Sequence, residues 1–452
     1  MKLFPLDDDA ILYETCFGDD TFGRKEISKQ LSDLVERIES PLVIALDDSW
    51  GQGKSYFLKR WVAAHTKDNG GTATTVYFDA FENDYLADPL VSLVATVTAR
   101  MPKGQKSKVA KIKRTATKLL KPAFGIALSL ATFGAKEELG EMGDAIVDAA
   151  SSETKDFATD LWKAEEDRSA AMEAFRGLLS EMIKTTNKAL VIVVDELDRC
   201  RPDYALSVLE IIKHLFAVDR VHFVLGVNSK ALENSVKARY GAEIDARNYL
   251  KKFINLKFSL PKVIGQHDPS QVIVEYAVQQ ADAMELPERI TKRATSLLKY
   301  ISETREVSLR DVGKILSNIA LLPEKIHTTN YVDAYIDVAA ALVVISVIDP
   351  DMHRGILDRT VKFKELRDFL NAPERLSKQR IGEDYNLEYD HEVTIWLAQL
   401  TFCVMGDAIK DCTGLPEWAS HMGSSREFFG SVRNPVDLPR QLQRDWIDLF
   451  RL

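Results

Sequence analysis

Four side chains suited to phosphate chemistry stand at two distant places in this chain: Lys54 and Ser55, then Asp195 and Glu196. Lys54 and Ser55 close the run Asp48-Ser49-Trp50-Gly51-Gln52-Gly53-Lys54-Ser55. The run fits Gly-x4-Gly-Lys-Ser/Thr except that Asp48 takes the place of the first glycine. Small residues let backbone N–H groups wrap a phosphate at a helix N-terminus. Lys54 would then reach the β- and γ-phosphates, and the Ser55 hydroxyl would ligate Mg²⁺. Gly51 and Gly53 supply freedom in the tight part of the turn. Asp48 tolerates unusual backbone angles better than most residues but sets a carboxylate close to anionic phosphates. Taken alone, the match is also what a chance Gly-Lys-Ser at a helix start looks like. Asp195 and Glu196 end the apolar run Leu190-Val191-Ile192-Val193-Val194. In a nucleotide hydrolase Asp195 would complete the Mg²⁺ shell opposite Ser55, and Glu196 would orient and polarise the attacking water. Two acids ahead of a helix are also ordinary caps. Their pairing with the upstream loop is what gives them weight.

These groups need a sheet edge to hold them. Pro41–Leu46 is a short unbroken apolar run, the mark of a strand buried on both faces. It follows an expected helix over Arg24–Ser40, with Ile27, Leu31, Leu34, Val35 and Ile38 on one face, and leads through the glycine turn into a helix over Ser55–His65. Thr74–Phe78, Leu190–Val194 and Val221–Val227 read as three further strands. Strands alternating with helices imply a parallel α/β sheet. After Pro261 the pattern is helical, over Val272–Met284, Glu288–Ser302 and Leu309–Leu322. Tyr331–Ile348 is apolar almost all round and should be a buried helix.

The second motif extends into Val194-Asp195-Glu196-Leu197-Asp198-Arg199-Cys200-Arg201-Pro202, which resembles the extended Walker B signature of the KAP family of P-loop NTPases. Ser49–Ser55 resembles that family's tryptophan-containing phosphate loop. Phe22-Gly23-Arg24 is similar to its N-terminal box, and Phe78-Asp79-Ala80-Phe81 to its Phe-Asn-Ala-Trp segment, departing at Asp79 and Phe81. Leu209–Lys213 and Tyr249–Ile254 also sit where the family pattern expects them. The resemblance spans roughly residues 17–350. It implies an α/β fold of the P-loop NTPase (ASCE-type) kind, a parallel sheet with a helical insertion, an α-helical lid and a C-terminal helical unit. It implies ATP as ligand, with Mg²⁺, bound by Arg24, Asp48, Ser49, Trp50, Gly51, Gln52, Gly53, Lys54, Ser55 and Tyr56. The family pattern has Asp where this chain has Glu196, a change toward the wider Asp-Glu box. The resemblance also implies Asn228 as a sensor of the γ-phosphate, although that position equally suits a plain turn residue. Arg310 resembles a second-sensor arginine of the lid. Arg199 rivals it, or serves as a finger offered to a neighbouring subunit, and either could be a solvated surface charge. Cys200 reads as packing.

The chain holds 452 residues, with 59 Lys/Arg against 68 Asp/Glu and a net charge of −9. That excludes a chain-wide basic footprint for nucleic acid. Its 46% hydrophobic and 28% charged content is that of an ordinary globular protein, neither disordered nor fibrous. Four scattered cysteines without zinc spacing, and an acidic start that is no signal peptide, suggest a reducing cytoplasm. The expected organisation is a P-loop core over 1–262 interrupted by an insertion at 103–167, a helical lid at 263–350, and a helical unit of unknown role at 351–452. The insertion opens with eight Lys/Arg and no acid over 103–121, continues through a charge-free stretch at Pro122–Ala135, and ends with eleven Asp/Glu over 137–167. The fourteen residues 122–135 fall short of the ~20 needed to span a bilayer. The basic and acidic runs suit a helical hairpin or subunit contact. A membrane-surface or nucleic-acid contact through 103–135 is the alternative. The functional expectation is an ATPase used as a conformational or assembly switch, with itself or a companion effector. By the resemblance it belongs to bacterial antiphage defence. Competing readings are an ATP-binding scaffold with little turnover and a nucleic-acid-stimulated ATPase.

Overall fold

A computed structural model describes residues 2–3, 10–18, 22–86, 88–100, 157–215, 218–260, 269–324, 333–372, 391–406 and 434–448. The basic, apolar and most of the acidic runs of the expected insertion therefore lie outside the described residues. The chain divides into two compact units: Ala10–Asp20 with Arg24–Leu260, and Met1–Asp9, Thr21–Gly23 with Pro261–Leu452.

The first unit is built on five parallel strands: β1 (Leu42–Asp47), β2 (Thr74–Asp79), β3 (Leu190–Asp195), β4 (Val221–Val227) and β5 (Leu256–Phe258). Their order is β2-β3-β4-β1-β5. β4 thus stands between the strand that feeds the phosphate loop and the strand that ends in Asp195, as the additional-strand type of P-loop fold requires. Four strands lie where the apolar runs place them. β5 is not among the expected strands: its apolar–polar alternation over Ile254–Leu260 is short, and pairing with Ile44–Leu46 of β1 makes the strand.

The unbroken apolar runs follow from burial on both faces. Val43, Ala45, Val76, Phe78, Ile192, Val194, Phe223 and Leu225 face one core, with Leu90, Phe175, Leu179 and Leu209 of covering helices. The alternate residues Ile44, Leu46, Tyr77, Val191, Val193 and Val224 face another, against Leu31, Val35, Phe57, Leu58 and Trp61. The covering helices are α1 (Arg24–Arg37), α2 (Lys54–Lys67), α3 (Pro89–Ala99), α4 (Phe157–Thr186), α5 (Pro202–Leu215), α6 (Ser229–Tyr240) and α7 (Ala246–Leu250). α1 stops three residues before the expected Ser40: Pro41 disfavours helical geometry in Ser40, and Glu39 O accepts from Arg220 N at 2.7 Å.

The second unit is helical throughout its described residues: α8 (Pro269–Ala283), α9 (Glu288–Thr304), α10 (Leu309–Ala320), α11 (Asp333–Ile348), α12 (Pro350–Asp358), α13 (Phe363–Phe369), α14 (His391–Met405) and α15 (Leu438–Leu442). α11 is buried on all sides, as its uniform apolarity requires. Its one deep charge, Asp337, meets Arg293 Nε at 3.0 Å and accepts from Gln399 Nε2 at 3.0 Å. Trp396, Leu400, Leu438 and Trp446 share one core with α9, α10 and α11. No helix among the described residues is long and apolar enough to cross a membrane.

Candidate active site

Because the strands are parallel, Asp47, Asp79 and Asp195 all close their strands at one edge of the sheet, where α/β folds bind ligands. The phosphate loop leaves that edge from β1 and enters α2. Gly51 and Gly53 take φ of 84° and 81°, a region that penalises any side chain, so the turn depends on both glycines. Gly53 is the residue at the head of α2, whose first N–H groups point toward the loop. Lys54 is buried and donates to the carbonyl oxygens of Asp48 at 2.6 Å and Ser49 at 2.9 Å. Burial pushes its ammonium below the usual lysine range, against the attraction of Asp198, Asp48 and Asp195.

The Asp48 departure has a local explanation. One carboxylate oxygen accepts from Leu260 N at 3.2 Å and the other from Ser49 N at 3.2 Å. The charge is engaged by backbone donors and ties the loop to the chain after β5. Asp47 beside it accepts from Ser229 N at 2.8 Å and pairs with Lys257 Nζ at 3.2 Å. Arg24 Nη2 reaches Gln52 O at 3.5 Å, and the Arg60 guanidinium lies 3.8 Å from the Tyr56 ring centre.

Asp195 is buried among donors. Tyr77 Oη donates to Oδ2 at 2.8 Å and Glu196 N donates to Oδ1 at 2.9 Å. Burial pushes the carboxyl above its ordinary value, and the Ser55 side chain, Tyr77 and Glu196 N oppose the rise. Gly226 of β4 leaves the space: a Cβ there would lie 2.2 Å from Asp195 Oδ1. Glu196 adopts a left-handed φ of 57°, an uncommon conformation for a residue with a side chain, and turns out of the strand. Its Oε1 pairs with Arg199 Nη1 at 3.0 Å. Burial raises its carboxyl as well, opposed by Arg199 and reinforced by Asp195 and Asp79. Asp198, buried in the same turn, accepts a hydrogen bond from Trp50 Nε1 of the phosphate loop. Cys200 is buried, its thiol is raised by burial first, and it leans on Glu196 O.

The structure therefore gathers the phosphate-loop residues 48–55, Asp195, Glu196 and Arg199 at one edge. Asn228 follows β4 and caps α6, its carboxamide oxygen accepting from Lys230 N at 3.1 Å and Ala231 N at 3.4 Å. A bond to phosphate would have to come from its NH₂ group. Arg310 belongs to the helical unit, in the first turn of α10. Three contributors were not singled out by sequence reasoning. Gly226 carried a usable signal, since a lone glycine inside an apolar strand marks a close approach. Asp198 lay within the signature but had no role. Tyr77 reads as one more core aromatic, and only its register beside Val193 reveals the contact.

The KAP family P-loop domain matches residues 24–326, more than half of the chain. The chain belongs to the KAP family of P-loop NTPases. The solved structure of the Aeropyrum pernix ORC2 protein, in ADPNP and ADP complexes, aligns over 80% of this chain and 74% of its own. The identity is 12% and the TM-score 0.37. A search of curated proteins returns no match. In this KAP chain the matched span contains the loop, the end of β3 and β4. Ser55 and Asp195 offer an all-oxygen donor set, which fits a hard divalent cation that keeps several waters. The glycine turn at the head of α2 fits the β-phosphate of a nucleotide.

Proposed function

We propose that the chain is a Mg²⁺-dependent ATPase that uses binding and hydrolysis as a conformational switch. The observation that supports this most directly is the glycine turn that closes on Lys54 and Ser55 and is joined through Trp50 to Asp198, in the turn that follows Asp195 and Glu196. Lys54 would exchange its bonds to the Asp48 and Ser49 carbonyls for the β- and γ-phosphates. Glu196 would accept a hydrogen bond from water and draw off its proton as the oxygen attacks the γ-phosphorus. The bond to the bridging oxygen then breaks, and ADP leaves with that electron pair. Ser55 and Asp195 would hold the Mg²⁺, which would supply charge neutralisation. Asn228 acts in this reading as a γ-phosphate sensor and Arg310 as a lid arginine, while Arg199 holds Glu196.

Phosphate release should be measured for wild type, Glu196→Gln and Lys54→Ala with Mg²⁺. Turnover in wild type, with loss of 100-fold or more in both variants, is expected. Absence of turnover from all three, with nucleotide still bound by wild type, would leave the scaffold reading. By family resemblance we place the protein in the bacterial cytoplasm, in antiphage defence, acting as a homo-oligomer or with a companion effector. Contacts to a membrane or nucleic acid through 103–135 belong to the same proposal. Mass photometry with and without ATP and Mg²⁺ tests assembly, which should depend on nucleotide.

A further inference from the structure

One contact at the sheet edge has no part in the chemical steps above. Trp50 stands inside the phosphate loop, one residue before Gly51, yet its indole is about half exposed at 48%. A solvent-facing tryptophan in a loop that must fit closely round phosphates contributes little by burial. What it contributes is a directed donor. Its Nε1–H goes to Asp198 Oδ2, 148 residues away in sequence, on a side chain only 8% exposed. Asp198 lies in a 3-10 turn (Leu197–Arg199). The same turn carries Glu196 at its head, in the left-handed conformation, and Arg199, which holds the Glu196 carboxylate at 3.0 Å. The Cys200 N–H closes the turn on Leu197 O. A movement of the loop at Trp50 therefore acts on a short, rigid segment with Glu196 at one end.

We propose that the Trp50–Asp198 hydrogen bond couples occupancy of the phosphate loop to the placement of Glu196, making both residues positioning residues. The proposal rests on nucleotide binding at this loop, as argued above. The loop holds phosphate through backbone N–H groups, so losing the indole N–H should leave affinity nearly intact. It should impair the placement of the catalytic carboxylate.

The test uses the full chain as Trp50→Phe, Asp198→Ala, Asp198→Asn and the double variant Trp50→Phe/Asp198→Ala. Affinity for a non-hydrolysable ATP analogue is measured, with hydrogen exchange of peptides covering 196–202 in its presence and absence. In wild type the analogue should slow exchange in that peptide. Trp50→Phe and Asp198→Ala should bind the analogue within about threefold of wild type but lose most of the protection. The double variant should be no worse than either single one, because they remove the same bond. Asp198→Asn keeps an acceptor oxygen and should keep the protection. With ATP, the first two variants should lose about tenfold in kcat with KM little changed.

Protection that survives in Trp50→Phe overturns the coupling. So does an Asp198→Asn that behaves like Asp198→Ala, which would assign the effect to charge on Lys54. Additive losses in the double variant would also overturn it. Transmitted protection without turnover in wild type would defeat the ATPase reading alone. Failure of wild type to bind the analogue would defeat both.

Discussion

At the scale of the residue, the site is governed by how tightly Asp195 is held. Its two oxygens are claimed by Tyr77 Oη and Glu196 N, and the strand beside it has no side chain at Gly226. Tyr77→Phe removes one donor from a buried carboxylate, a loss of about 1–3 kcal/mol for a group left short of partners. The Mg²⁺ concentration for half-maximal nucleotide binding should rise several-fold, read by titrating Mg²⁺ against a fluorescent nucleotide. An unchanged Mg²⁺ midpoint would show that Ser55 and Glu196 N orient the carboxylate unaided. Gly226→Ala puts a methyl 2.2 Å from Oδ1 and 2.6 Å from the Leu58 side chain. Overpacking of this kind costs about 1–3 kcal/mol. The melting temperature should fall, and Mg²⁺-dependent nucleotide binding should weaken with it. The lysine, serine and two acids were legible from residue type and spacing. Tyr77 was not, because an aromatic in an apolar strand looks the same whether or not a carboxylate lies beside it, and Gly226 signalled a close approach without saying to what.

At the scale of the element, α1, α2 and the chain entering β2 are joined by one buried polar cluster. His65 is fully buried, with Nδ1 3.0 Å from Ser32 Oγ and Nε2 3.1 Å from Glu36 Oε1. Glu36 also accepts from Ala73 N at 2.7 Å and Thr72 Oγ1 at 2.9 Å. Burial pushes His65 below its ordinary value near 6.5, against the pull of Glu36. Burial works to raise Glu36, but the bonds from Ala73 and Thr72 overcome it and hold the carboxylate below its ordinary 4.5. Both groups bind fewer protons folded than unfolded, so both give stability that is lost on acidification. The histidine contribution declines as pH falls from about 6.5, and the glutamate contribution as it falls from about 4.5. The urea midpoint of the sheet unit should therefore drop from pH 8 to pH 5. His65→Gln should flatten that drop, and equal slopes in the two proteins would count against the cluster as its source. Helix and strand positions here follow from periodicity. The cluster does not, since nothing local tells Glu36 that His65 lies opposite.

At the scale of the whole molecule, two compact units are each held by their own core. In the helical unit, Trp396, Leu400, Leu438 and Trp446 from beyond residue 350 share the core of Leu297, Ile315 and Leu342. Truncation after Ile348 would expose that apolar surface to water, at roughly 25 cal/mol per Å². Calorimetry of the truncated chain should lose the transition of the helical unit while keeping that of the sheet unit, whose cores lie before residue 261. Retention of both transitions at unchanged temperature would show that 351–452 is an independent addition.

The sequence by itself determined the phosphate loop, the two acids that end β3, four of five strands and the KAP membership. The first three rest on local composition or spacing, and the membership on the match of the family's P-loop domain over residues 24–326, all of which survive in one dimension. Only the tertiary structure decided that β4 lies between β1 and β3, that Asp48 spends its carboxylate on Leu260 N and Ser49 N, and that Tyr77 and Gly226 shape the seat of Asp195. Those facts depend on which strand lies beside which and in what register. Register is a property of pairs of segments, and no single stretch of chain records it.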